Sequence, residues 1–83
     1  MTTLDDDLRD LRLAVAEEAW FDLRDERPIV AVRMERAINN GASVKLVVEA
    51  LQATGVLDDA RLLMRVLLAA EYLVAQRQAE ANP

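Results

Sequence analysis

Apolar residues recur at helical spacing along almost the whole chain, and this pattern predicts helices and no strand. Proline and glycine separate the periodic segments, because proline suits a helix start and glycine a helix end. The predicted helices cover about residues 4–26, 28–39, 44–54 and 58–79. We therefore expect one all-α domain, residues 1–83, built as a small four-helix bundle with long, short, short and long helices in that order.

The last predicted helix is the most apolar and is expected to organise the fold. Two neighbouring seams of aliphatic residues cover an arc of about 200°, whereas an ordinary surface helix shows about 100°. Three covering helices, two of them short, cannot easily hide such an arc, so we expect part of it to pair two copies as a two-fold dimer. The residues expected to form this self-association surface are Leu62, Val66, Ala69, Leu73, Met64, Leu68 and Tyr72.

The first predicted helix combines an apolar seam with a concentration of acids. Four-three spacing predicts a buried seam formed by Leu4, Leu8, Leu11, Val15 and Ala19. Residues 1–26 carry nine acids and three arginines, whereas residues 27–83 carry six acids and seven basic residues. This acidity disfavours nucleic acid and favours a basic protein partner. The expected contact residues are Asp5, Asp6, Asp7, Asp10, Glu17 and Phe21.

The two short predicted helices and the turn between them resemble a helix-turn-helix unit. Ala37, Gly41 and Val47 fall where that motif has a small residue, a turn glycine and a buried aliphatic side chain. The resemblance implies an alternative function, a DNA-binding regulator that uses residues 28–54. The residues that would face the duplex are Arg33, Arg36 and Lys45. Against this alternative, the second helix of the unit presents one positive and one negative charge, which do not neutralise several phosphates.

The composition removes most catalytic chemistry. The chain has no Cys and no His, which excludes thiolate nucleophiles, histidine-based triads and the usual zinc sites. Residues 6–10, DDLRD, resemble the aspartate-rich metal–diphosphate motif of prenyltransferases, but an 83-residue chain has no room for the deep cavity of such enzymes. Acids at a helix N-terminus are explained by the helix dipole. We therefore expect no enzyme activity, no metal and no cofactor.

The remaining features place the chain among cytoplasmic proteins with no membrane span. Acids stand where a secretory signal has basic residues, and Arg65 and Glu71 interrupt the longest apolar segment. Nearly all basic residues are Arg, which is typical of GC-rich bacterial or phage genomes. The favoured function is protein–protein interaction, as a subunit, adaptor, inhibitor or antitoxin-like protein that self-associates through its last helix.

Overall fold

The computed structural model describes residues 3–81. Within this range all regular secondary structure is helical, and there is no strand. A turn of 3-10 helix, Val56–Asp58, precedes the last helix, which therefore begins two residues later than expected. The all-α prediction is confirmed. The helices are α1 (Thr3–Glu26), α2 (Pro28–Asn39), α3 (Val44–Ala53) and α4 (Ala60–Ala81).

Side-chain caps define the starts of α3 and α4. The Leu46 N–H donates to Ser43 Oγ over 3.2 Å, and the Arg61 N–H donates to Asp59 Oδ1 over 2.8 Å. Each bond satisfies one of the N–H groups that the first turn of a helix leaves without an intrahelical partner. The polar residue before each apolar segment therefore sets where that helix begins.

The turn between α2 and α3 is closed by backbone hydrogen bonds. The Ala42 N–H donates to the Ala37 carbonyl and the Gly41 N–H donates to the Ile38 carbonyl, both over 3.0 Å, which is the Schellman arrangement. Gly41 adopts a φ of +105°, a conformation that side chains other than glycine rarely tolerate. This turn allows α3 to follow α2 after four residues and to pack beside it.

The helix α4 is the centre of the bundle. Within residues 3–81 it contacts α1, α2 and α3, whereas α1 and α3 do not contact each other. Its inward side chains are therefore shared by the whole core. The buried residues are Ala16, Ala19, Trp20, Leu23, Ala31, Met34, Ile38, Val47, Leu62, Val66, Ala69, Ala70 and Leu73.

Ion pairs show that α1 and α4 run antiparallel. Arg12 Nη2 lies 3.3 Å from Glu71 Oε2, and Glu26 at the end of α1 pairs with Arg65 near the start of α4. These four side chains are exposed or partly buried, so each pair adds at most about 1 kcal/mol to stability. The apolar contacts between the two helices therefore provide most of the stability of the pair.

The predicted buried seam of the first helix is wrong at four of its five positions. Ala19 is buried, but Leu4, Leu8, Leu11 and Val15 are exposed. The reason is length. The 24 residues of α1 extend about 36 Å, whereas the 12 residues of α2 extend about 18 Å. Since α2 begins directly after α1 and runs back along it, α2 covers only the second half of α1. All buried residues of α1 accordingly lie between Ala16 and Leu23.

Candidate protein-binding surface

An apolar stripe lies on the outer side of the first half of α1. We call it the leucine stripe and define it as Leu4, Leu8, Leu11 and Val15. Steps of four and three residues place these side chains on one side of a helix, and they are between 44% and 65% exposed. Glu18 and Asp22 continue the same side of α1, so the stripe ends where acids begin. The result is an unpartnered apolar face on a rigid helix.

The Arg12–Glu71 ion pair links α1 to α4 beside the leucine stripe. Val15 lies one turn after Arg12, while Leu67 and Val74 lie one turn before and one turn after Glu71. The two charged side chains approach to 3.3 Å. Leu67 and Val74 are partly buried, and Val74 packs against the core.

The acids expected to contact a partner divide between two sides of α1. Asp5 precedes Leu8 by three residues and Asp7 precedes Leu11 by four, so these aspartates border the leucine stripe. No ion pair within residues 3–81 neutralises any of the four aspartates at the start of α1. A second side of the helix carries Asp6, Asp10, Glu17 and Phe21.

Phe21 is an exposed aromatic residue in this acidic region. Its side chain is 41% exposed, and the Arg24 guanidinium carbon lies 4.8 Å from the ring centroid. This distance is within the range of a cation–π contact. The ring is therefore held in place by its own helix and remains accessible beside Glu17, one turn earlier.

Tyr72 connects the acidic side of α1 to α4. Its hydroxyl donates a hydrogen bond to Glu17 Oε2 over 3.2 Å. Burial raises the pKa of Tyr72 most, and the hydrogen bond and negative charge of Glu17 raise it further, while Arg24 opposes the shift. Each of the three raising effects disfavours the phenolate.

We expect the Tyr72 phenolate to form at a pH above the ordinary tyrosine pKa of about 10. Tyr72 is the single tyrosine, so phenolate absorbance reports it alone. Glu17→Gln should lower the midpoint without restoring the ordinary value, because burial is the largest cause. The folded state holds this proton more tightly than the unfolded chain, so stability should decline as pH rises above about 10. Glu18→Gln is the matched control. An equal change of the phenolate midpoint in both variants would contradict the assignment of this effect to Glu17.

The structure divides the expected self-association surface. Leu62, Val66, Ala69 and Leu73 are buried in the core of the chain itself, so a second copy reaches them only if the core opens. Some members of this seam or of the set Met64, Leu68 and Tyr72 were expected to stay outside the core. The seam is covered, because buried residues of α1, α2 and α3 pack with it in one cluster. Three members lie elsewhere on α4: Met64, which is 57% exposed, and the partly buried Leu68 and Tyr72.

A groove with apolar walls separates α2 from α3, and the sequence did not predict it. Its volume is about 260 Å³. We call this groove the α2–α3 groove and define it by Ile29, Val30, Arg33, Met34, Ala37, Val47, Ala50 and Leu51.

The residues assigned to the DNA-binding alternative lie at different places around the α2–α3 groove. Arg33 lines the groove and Arg36 lies beside it. Lys45 lies 3.9 Å from Glu49 on the outer side of α3.

Helix length is the sequence signal that would have located the leucine stripe. Residue periodicity shows which positions share a side of a helix, but not whether another helix lies against that side. The predicted lengths already imply that α2 and α3 are too short to cover all of α1. The α2–α3 groove has no comparable signal, because its width depends on how closely two helices pack.

No known protein family, curated protein or solved structure that we compared with this chain matches it. Within residues 3–81, no helix combines the length and apolarity needed to cross a membrane. In the same range no group of three acidic side chains is placed to hold a metal ion.

Proposed function

We propose that this chain acts by protein–protein contact and that the leucine stripe, bordered by Asp5 and Asp7, is its main binding surface. The observation that carries the proposal is the row of four aliphatic side chains exposed along one side of α1. Contiguous apolar surface of this kind marks interaction sites in proteins. A subunit, adaptor, inhibitor or antitoxin-like protein would each use such a surface.

The total accessible surface supports an uncovered binding face. The chain exposes 5947 Å², whereas a folded monomer of 9.3 kDa is expected to expose about 5,000 Å². One partner of a standard interface buries about 800 Å². The excess is therefore of the size that one partner chain covers, and the uncovered first half of α1 contributes to it.

Energetics indicate that the partner also uses charge. Complete burial of a Leu or Val side chain contributes about 1.5–3 kcal/mol, so four half-exposed side chains contribute about 3–6 kcal/mol. A micromolar complex requires about 8 kcal/mol. The partner must therefore add contacts, and unpaired Asp5 and Asp7 favour basic groups around its apolar surface. Two leucine stripes placed face to face would instead bring like charges together.

Affinity capture of partners with the tagged full chain from its native host tests this function. We expect Leu8→Gln combined with Leu11→Gln to lose the proteins that the wild-type chain retains, because polar amides replace the centre of the stripe. Reversal of Asp5, Asp6, Asp7 and Asp10 to Lys should cause the same loss with an intact fold, since exposed charges steer association but contribute little to stability.

The matched control is Met64→Gln, which changes an equally exposed apolar side chain on α4. It should retain the wild-type partners. Circular dichroism and thermal melts of all variants separate lost binding from lost folding. Equal capture by the wild-type chain, the stripe variant and the charge-reversed variant would exclude the leucine stripe as the binding surface.

The charge distribution of residues 28–54 does not favour the DNA-binding alternative. Lys45 is paired with Glu49 on the outer side of α3, which leaves the arginines of α2 as the cations of this unit. A duplex-binding titration distinguishes the two functions. A DNA-binding regulator must lose affinity steeply as salt rises, because each phosphate contact releases counterions. We expect no saturable binding.

A further inference from the structure

The α2–α3 groove is a second apolar surface on the same chain. Met34 and Val47 form its buried floor, whereas Ile29 and Ala50 are exposed at its edges. Leu46 lies one turn before Ala50 on α3 and is 57% exposed, so it extends the apolar wall. A groove of this form between two helices accepts the apolar side of a third helix.

The charged side chains at the α2–α3 groove are positive. Arg33 lines it, and Arg36 lines a depression that adjoins it along α2. Among the described residues that line the groove and this depression, none is acidic. No ion pair within residues 3–81 involves either arginine. The edge of the groove is therefore complementary to an amphipathic helix with acidic borders.

The leucine stripe of the same protein has the length that the groove requires. From Leu4 to Val15 the stripe extends about 16 Å, and the helices that wall the groove extend about 15 Å for α3 and about 18 Å for α2. The stripe is apolar along this length and carries unpaired Asp5 and Asp7 at its borders. Within one chain the first half of α1 lies against α4, so the stripe can fill the groove only of another copy.

We propose that the leucine stripe of one copy binds in the α2–α3 groove of a second copy, and that a two-fold axis repeats the contact to close a dimer. This inference rests on the proposed function, since it names the chain itself as one partner of the stripe. Two stripes placed face to face would bring aspartates together, whereas a stripe in the groove brings its aspartates to the arginines of the groove. Two equivalent contacts per dimer also double the apolar surface that is covered.

Analytical ultracentrifugation of full-length variants tests the proposal. The stripe variant is Leu8→Gln with Leu11→Gln, and the groove variant is Ala50→Glu, which places a carboxylate at the groove edge facing the incoming aspartates. We expect a wild-type dimer at tens of micromolar, weakened by salt, and at least about tenfold weaker self-association of each variant. Mixing the two variants should give a one-to-one complex that is weaker than the wild-type dimer but stronger than the self-association of either variant, because the mixed pair retains one of the two stripe–groove contacts.

Gln52→Glu is the control for the groove variant, since it adds the same charge to α3 but does not line the groove. It should dimerise like the wild-type chain. The proposal is overturned if the Ala50→Glu variant self-associates at wild-type strength, or if the mixture associates no more strongly than either variant alone. A mass that grows beyond two chains, or a monomeric wild-type chain at about 100 µM, would overturn it as well.

These outcomes are separable from failure of the proposed function. If the chain is monomeric but the stripe variant loses a host partner that Ala50→Glu retains, the stripe binds a different protein and only the self-docking inference fails. If the stripe variant retains every partner and also dimerises normally, both proposals fail. Thermal melts identify any variant whose loss of association reflects unfolding.

Discussion

Val66→Asp is expected to unfold the chain at neutral pH. Val66 is 1% exposed and lies on α4, which contacts all three other helices. A carboxylate at this position loses its hydration without gaining a partner, and such changes cost more than about 4 kcal/mol. The whole stability of a small domain is about 0.05–0.15 kcal/mol per residue, so this loss is comparable with the total. Far-ultraviolet circular dichroism should show loss of helix.

Met64→Asp is the matched control for this prediction. It places the same carboxylate two residues earlier on α4, where the side chain is 57% exposed, and should cost less than about 1 kcal/mol. A folded Val66→Asp variant with a melting temperature close to the wild-type value would show that this side of α4 faces water. That result would indicate that the seam through Leu62, Val66 and Leu73 is available for self-association.

Leu23→Ala is expected to lower the free energy of unfolding by about 2–5 kcal/mol, because Leu23 is fully buried and its loss leaves a cavity among α1, α2 and α4. Leu11→Ala is the comparison on the same helix. Leu11 is 61% exposed, so its loss should cost less than about 1 kcal/mol, and the better helix propensity of Ala offsets part of that cost. Urea denaturation of both variants measures the difference.

The pair Leu23→Ala and Leu11→Ala also tests the exposed position of the leucine stripe. Equal destabilisation would mean that α1 buries its first half, as its periodicity alone predicts. If a partner covers the stripe, Leu11→Ala should weaken association far more than it weakens folding. A partner that binds only the folded chain should in turn raise the melting temperature of the wild-type protein.

The sequence by itself determined the class of fold and the local structure. Helical periodicity, Pro28, Gly41 and Gly55 located four helices, and Ser43 defined the start of α3. For α4 the sequence left Asp58 and Asp59 as alternative caps, and the structure has Asp59. These features are local, because a cap, a turn or an apolar side of a helix depends on residues within one or two turns. They could therefore be predicted without knowledge of which helices meet.

Only the tertiary structure decided which apolar sides are covered. Leu4 to Val15 and Leu62 to Leu73 show similar spacing, yet the first set is exposed and the second forms the core. The difference arises because α1, α2 and α3 all pack against α4, whereas α2 reaches only the second half of α1. Burial depends on the lengths and contacts of separate helices. Periodicity identified both apolar sides, and the arrangement of the bundle left the leucine stripe in water.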